Sequence, residues 1–154
     1  KATKVVTGHN LDDEAQAFLM NLFKNKQEMN VRLGPYPGII RDSKFVPRVK
    51  PLYLTKESDV ERYSKIMNFP VKYGRCPCAV DAYRNYVRNM LNELEKDYPK
   101  IKENTIAYFL RILPKLKKRF VSDKKLLACK LCGEPSQSDV CRACQILGVV
   151  KNFH

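Results

Sequence analysis

The hydrophobic positions of this chain change period along its length. Lys4-Val5-Val6 is short and β-branched, which predicts a strand. From Leu11 onward Ala15, Phe18, Leu19 and Leu22 or Phe23 recur at helical spacing, predicting a helix from Leu11 to about Lys26 with that face in a core. Met29 to Ser43 breaks the pattern with Gly34, Pro35, Pro37 and Gly38 and reads as a loop. Phe45 to Leu54 reads as extended chain, because Pro47 and Pro51 forbid helix and Arg48 and Lys50 alternate with Val49.

Helical spacing returns in Val60, Tyr63, Ile66 and Met67, predicting a helix over Thr55–Asn68 with Thr55 as its N-cap. Phe69 to Tyr73 follows as an expected strand, so the order suggests a second βα repeat of one sheet. Val80 to Asp97 is the most regular helical pattern, with Val80, Tyr83, Val87, Met90 or Leu91 and Leu94 on one face and Arg84 and Arg88 on another. Ile101 to Phe120 predicts further helix, interrupted near Pro114.

Composition narrows the partner. The 154 residues carry a net charge of +13, enough for one modest domain plus a small module and too basic for an ordinary metabolic enzyme. Such a balance fits a polyanion, most simply nucleic acid. No apolar run approaches a membrane-spanning length, which disfavours the rival, a membrane surface. No signal peptide is visible, and the first residues read as the interior of a fold, so a missing start is expected.

Candidate chemistry collects at Thr7-Gly8-His9-Asn10-Leu11-Asp12-Asp13-Glu14-Ala15-Gln16. This is a strand-to-helix turn, the place where an open α/β sheet holds its ligands. Asn10 is a natural N-cap, and acids suit the positive end of the helix macrodipole. Capping alone needs one or two acids, so Asp12, Asp13 and Glu14 beside His9 also point to nucleotide, metal or catalytic work; an anion would require Mg²⁺ or a basic group between. Gly74-Arg75-Cys76-Pro77-Cys78 falls where the Phe69–Tyr73 strand would end. Cys76 is either a small buried hydrophobe or, beside Arg75 and a helix start, an exposed thiolate acting as ligand or nucleophile. Lys115, Lys117, Lys118, Arg119, Lys124 and Lys125 surround a single acid, Asp123, and read as a solvated face or as phosphate contacts, as do Arg48 and Lys50.

The most specific local signal is Cys129-Lys130-Leu131-Cys132-Gly133 followed by Cys141-Arg142-Ala143-Cys144. Two such pairs close a tetrahedral Cys₄ site; zinc suits an all-thiolate, fully ligated site, and the rival is a pair of disulfides. A module this small cannot fold on its apolar area alone, so the metal's role is structural, with Lys130 and Arg142 available to RNA.

In this order, Thr7-Gly8-His9-Asn10-Leu11-Asp12-Asp13-Glu14-Ala15, Arg48-Val49-Lys50-Pro51-Leu52, Cys76-Pro77, Arg84-Asn85-Tyr86-Val87-Arg88, Leu91-Asn92-Glu93-Leu94-Glu95 and the Cys₄ end resemble the ATP-dependent tRNA 2-thiolation enzymes. These thiouridine synthetases are related to the two-thiocytidine synthetases, and the resemblance covers essentially the whole chain. It implies an α/β fold, part of a parallel sheet of the adenine-nucleotide-alpha-hydrolase (PP-loop) type, followed by a helical segment and a small C-terminal Cys₄ zinc module. The implied division is residues 1–78 as the back half of the catalytic domain, 79–125 as a basic tRNA-binding region and 126–154 as the zinc module.

The implied activity uses ATP and Mg²⁺ to adenylate the C2 oxygen of a tRNA uridine, which sulfur then replaces. Asp12 and Asp13 would be catalytic, Asp13 foremost, and Gly8, His9 and Asn10 would shape the nucleotide pocket. Cys76 would be one of three cysteine ligands of a [4Fe-4S] cluster, and Arg48, Lys50, Arg75, Arg84, Arg88, Lys117, Lys118 and Arg119 would meet tRNA. The implied partners are tRNA, an N-terminal portion of the same enzyme, a sulfur donor (sulfide or a ubiquitin-like carrier) and a possible second copy, in the cytoplasm.

Two departures stand out. The family's Ser-Gly-Gly-x-Asp-Ser phosphate loop and its remaining cluster cysteines are not in this sequence, and Cys78-Ala79 stands where members carry an aromatic residue or histidine and then serine. The expectation is therefore an enzyme's C-terminal part, active only with its front half. Competing classes are a non-enzymatic zinc-containing RNA-binding module and a metal-dependent hydrolase built on the acidic turn.

Overall fold

A computed structural model describes residues 2–38, 45–73, 82–120 and 127–148. They form two compact units, Lys1–Ile40 with Val46–Phe120 and Arg41–Phe45 with Val121–His154. Among the described residues the elements of the first unit are β1 (Val5–Val6), α1 (Leu11–Phe23), α2 (Gln27–Asn30), β2 (Arg48–Val49), α3 (Glu57–Ile66), α4 (Ala82–Asp97) and α5 (Ile101–Phe120). Those of the second are β3 (Leu127–Ala128), β4 (Pro135–Ser136) and α6 (Arg142–Ile146).

The first unit is α/β. β1 and β2 pair in parallel, Val5 opposite Arg48 and Val6 opposite Val49, and the Thr7 N–H donates to the Val49 carbonyl at 3.1 Å. Parallel strands need a long crossover, and α1, α2 and the Gly/Pro-rich loop supply it. α1 presents Leu11, Ala15 and Phe18 at helical spacing to Val87 and Leu91 of α4 and to Ile106, Phe109 and Leu113 of α5, with Tyr53 alongside. The Phe18 and Phe109 rings meet at 4.7 Å between centroids. α4 and α5 thus share one core with α1.

Several boundaries differ from the expectations, each for a local reason. α1 stops at Phe23 because Asn25 takes a left-handed conformation, φ 53°. Its N–H donates to the Leu22 carbonyl and that of Lys26 to Asn21, a Schellman closure. Asn68, φ 51°, closes α3 in the same way, with Asn68 N–H on Lys65 and Phe69 N–H on Ser64. Thr55 does not cap α3: the N-cap is Lys56, without a side-chain bond, and the acceptor for the Glu57 N–H is Asp12 of α1 at 2.7 Å. Phe69–Tyr73 is not a strand; the Val71 N–H folds back to the Phe69 carbonyl at 2.7 Å around Pro70. α5 runs unbroken through Pro114, because Ile106, Phe109 and Leu113 hold it in the core before the ring and the partly buried Leu116 packs against that core after it. β2 is only two residues long, followed by a turn rather than extended chain to Leu54.

The outer surface of this unit carries unusual apolar exposure. Val5 and Val6 of β1 are exposed, as are Tyr63, Ile66 and Met67, the side chains expected to bury α3; Ile66 is 70% exposed. No helix among the described residues is long and apolar enough to cross a membrane.

Gly34 shows where backbone freedom is required. It sits at φ +114°, and a Cβ there would lie 3.1 Å from Leu113 Cδ2. Gly34→Ala is expected to destabilise the first unit by about 1–3 kcal/mol, read as a lower denaturant midpoint at unchanged slope.

Candidate functional site

The turn between β1 and α1 is held by its own side chains. Asn10 lies extended, and its Oδ1 accepts from the Asp13 N–H at 3.0 Å while Asp13 Oδ2 accepts from the Asn10 N–H at 3.3 Å. This reciprocal capping box fixes where α1 starts. Successive residues on a helix diverge by about 100°, so the three acids that follow leave the axis in different directions.

Asp12 turns inward. It is 5% exposed, caps α3 through Glu57 N–H and receives the Lys102 ammonium at 2.5 Å. Lys102, 4% exposed, donates also to Asn92 at 2.8 Å and pairs with Glu95 at 2.7 Å. Burial alone would lower the lysine's pKa, but its hydrogen bonds to Asp12 and Glu95 outweigh it, and the ammonium ends above its ordinary value. Glu95 is shared with Lys56, which Glu103 also holds at 2.9 Å. Asp12 therefore ties α1 to α3 and α5.

Glu14 also turns inward. It is 2% exposed and meets Lys50 at 2.5 Å, at the end of β2. Its second oxygen has no hydrogen-bond partner among the described residues, nor has the Tyr53 hydroxyl, and burial followed by the Glu14 charge pushes the Tyr53 phenol well above its usual value. Lys50, expected at a phosphate, has its ammonium engaged by a buried carboxylate instead.

Asp13 turns outward, its side chain 28% exposed. Arg84 of α4 donates through Nη2 to Asp13 Oδ1 at 2.8 Å and through Nε to Gln16 Oε1 at 3.1 Å. Gly8 and His9 are exposed beside it, and a Cβ on Gly8 would meet nothing within 4 Å. Of the acidic turn, then, Asp13 is the carboxylate that reaches solvent, next to the exposed Gly8 and His9.

The basic residues are dispersed. Arg48 is exposed, Arg88 lies 3.9 Å from Glu57, Lys118 and Arg119 are exposed at the end of α5 and Lys117 is half-buried there. Arg75, Cys76 and Cys78 lie outside the described residues. Lys102, Glu95, Asn92 and Gln16 were not anticipated as site residues. Lys102 did leave a signal: it falls on the same α5 stripe as Ile106, Phe109 and Leu113, a cation on an apolar face.

In the second unit the four cysteines converge. All are free thiols, and their sulfurs lie within 4.8 Å of one another. Cys129 and Cys144 are 4.0 Å apart and Cys132 and Cys141 3.6 Å, far beyond a disulfide bond. Four thiolates around one tetrahedral ion at the zinc–sulfur distance of ~2.3 Å would stand ~3.8 Å apart, so the donor set fits such an ion. The antiparallel pair β3–β4 sets one knuckle, Gly133 at φ +72° turns it, and Cys141 N-caps α6 to carry the other pair. Backbone N–H groups of Cys141 on Cys129 (3.2 Å) and Cys144 on Cys141 (3.4 Å) orient the sulfurs. The Cys141 N–H, then that of Cys132, pulls the Cys129 thiol down to about 6.

The chain is 30% identical over 153 residues to the tRNA 2-thiolation protein NcsA of Haloferax volcanii, covering 95% of this chain and 48% of that protein. It is 33% identical over 150 residues to the tRNA-5-methyluridine(54) 2-sulfurtransferase of Pyrococcus horikoshii, covering 97% and 47%. The chain is related to the tRNA 2-thiolation proteins over almost its whole length. Cytoplasmic tRNA 2-thiolation protein 1 of Caenorhabditis elegans is similar too, 33% identical over 95% of this chain and 38% of that protein. The fold agrees with a solved structure, the U34-tRNA thiolase NcsA from Methanococcus maripaludis with its [4Fe-4S] cluster, at a TM-score of 0.70 and 26% identity over 99% of this chain and 47% of that one. No protein-family model matches the chain. The resemblance carried by the motifs is thus borne out, and the chain spans about half the length of the relatives it matches.

Proposed function

We propose that this chain is the C-terminal part of a tRNA sulfurtransferase that makes 2-thiouridine. The observation that carries the reading is the single outward carboxylate of the acidic turn, Asp13, in a chain whose thiolation relatives align over 95–97% of its length. In the proposed reaction the uridine C2 oxygen attacks the α-phosphate of ATP and pyrophosphate leaves. Sulfur then adds at C2 and AMP departs with the oxygen. Asp13, with Gly8, His9 and Asn10 around it, would position the Mg²⁺-bound nucleotide and the base. Asp12, in this reading, supports the turn from behind rather than touching substrate.

Arg48, Arg75, Arg88, Lys117, Lys118 and Arg119 would serve tRNA phosphates, and the Cys₄ module would hold Zn²⁺. Cys76 is the residue this chain would offer to a [4Fe-4S] cluster, which when bound supplies the site where sulfur is held. The β1–β2 pair would belong to a PP-loop sheet completed by an N-terminal portion of the enzyme. Exposed Val5, Val6, Tyr63, Ile66 and Met67 support a covering polypeptide of that kind. The enzyme would work in the cytoplasm, with sulfide or a ubiquitin-like carrier as sulfur donor.

The test is the 2-thiouridine content of tRNA made by the complete enzyme carrying Asp13→Asn. The rate is expected to fall about a hundredfold or more, the scale of a lost catalytic group, at unchanged tRNA affinity. Unchanged thiolation would sink the reading, and tRNA binding without any thiolation by the unsubstituted enzyme would favour a zinc-containing RNA-binding module.

A further inference from the structure

We infer that Arg84 is a positioning residue for the Asp13 carboxylate, rather than a phosphate contact for tRNA; this rests on the thiolation reading above. A basic residue on an exposed helix in a protein of charge +13 reads first as a phosphate contact. The geometry points elsewhere. One edge of the Arg84 guanidinium is split between two acceptors, Nη2 to Asp13 Oδ1 at 2.8 Å and Nε to Gln16 Oε1 at 3.1 Å.

Gln16 is the anchor. It is 1% exposed, one turn along α1 from Asp13, so the acceptor that fixes the guanidinium plane is itself fixed by the core. A planar fork held at one tine cannot follow a mobile phosphate without giving up a buried partner. The other carboxylate oxygen, Oδ2, faces the Asn10 N–H at 3.3 Å. Asp13 is therefore gripped on both oxygens, by α4 from one side and by its own turn from the other, which leaves its lone pairs aimed in one fixed direction. Catalytic geometry of that kind tolerates little looseness.

The two roles separate in kinetics. Loss of a phosphate contact raises KM for tRNA at unchanged kcat and reduces the steepness of log affinity against log salt by about 0.9. Loss of a positioning residue lowers kcat, leaves the salt slope unchanged, and adds nothing once its target is gone. The experiment compares Arg84→Ala, Arg84→Lys and Asp13→Asn, singly and with Arg84→Ala combined with Asp13→Asn, in the complete enzyme, using 2-thiouridine formation and tRNA affinity at several salt concentrations.

Arg84→Ala is expected to lower kcat about tenfold or more with KM for tRNA and salt slope within error. Arg84→Lys should recover only part of it, since a point charge cannot reach both acceptors. The double variant should be no slower than Asp13→Asn alone. If Asp13→Asn is inactive while Arg84→Ala changes only KM and the salt slope, the inference is overturned and the functional reading stands. If Asp13→Asn thiolates normally, the functional reading falls and the inference with it. Should Arg84→Ala fold poorly, Arg84→Gln carries the same comparison.

Discussion

Replacing Lys102 with alanine is expected to cost about 3–5 kcal/mol of stability, because it strands the buried Asp12 carboxylate rather than merely removing a contact. Lys102 and Asp12 are 4% and 5% exposed, and the ammonium is shared among Asp12, Glu95 and Asn92. Without it the one hydrogen-bond partner left to the buried Asp12 among the described residues is the Glu57 N–H. The pH dependence has a definite sign. The Lys102 pKa is raised in the folded protein, so its contribution is complete below the ordinary value of 10.5 and is lost only as pH climbs through the raised one. Acid titration down to neutrality leaves it intact.

A second variant identifies the mechanism. Asp12→Leu with Lys102→Met removes both charges and keeps the branching and reach of the side chains, a replacement that in buried pairs is often nearly neutral. Here it should recover only part of the loss, because the α3 N-terminus also loses the acceptor that Asp12 provides, worth about 1 kcal/mol. Urea midpoints for the variants measure this. A change below about 1 kcal/mol for Lys102→Ala would show that the pair does not hold α1, α3 and α5 together.

That pair also marks the limit of what the sequence discloses. The β1–turn–α1 unit was legible because its signals are contiguous: a β-branched strand, an Asn cap, acids in the first turn and an apolar stripe. The cysteine knuckles were legible for the same reason, since two-residue spacing fixes how close two sulfurs come. What was not legible depends on contacts across long separations. Asp12 and Asp13 look alike in the sequence, and what tells them apart lies far along the chain: Lys102, ninety positions away, and the Glu57 N–H hold one inside, while Arg84 meets the other at the surface. Lys50 looked like a surface cation until Glu14 met it from another element. Thr55 looked like a cap until Asp12 supplied the oxygen. Phe69–Tyr73 has strand composition but no neighbouring strand among the described residues to bond with, and composition alone does not make a ladder.

Removing metal should have the largest effect of all, confined to the second unit. Its described elements are two strands of two residues and a five-residue helix, far too little buried apolar surface to offset the entropy of ordering them. Cys129 and Cys144 are among its few buried residues, and they are the proposed ligands themselves. Binding energy at such a site is folding energy, about 10–16 kcal/mol in small zinc modules. With zinc as the proposed ion, elemental analysis should find one per chain. Chelation, or Cys129→Ser, should abolish hydrogen-exchange protection at the amides of Lys130, Cys141 and Cys144, which bond within the module. Amides of α1 and α5 should keep theirs, because their core of Leu11, Phe18, Ile106 and Phe109 contains no cysteine. Protection at Cys141 and Cys144 that survives chelation would mean the four sulfurs are held together by the chain alone, and the module would not be a metal site.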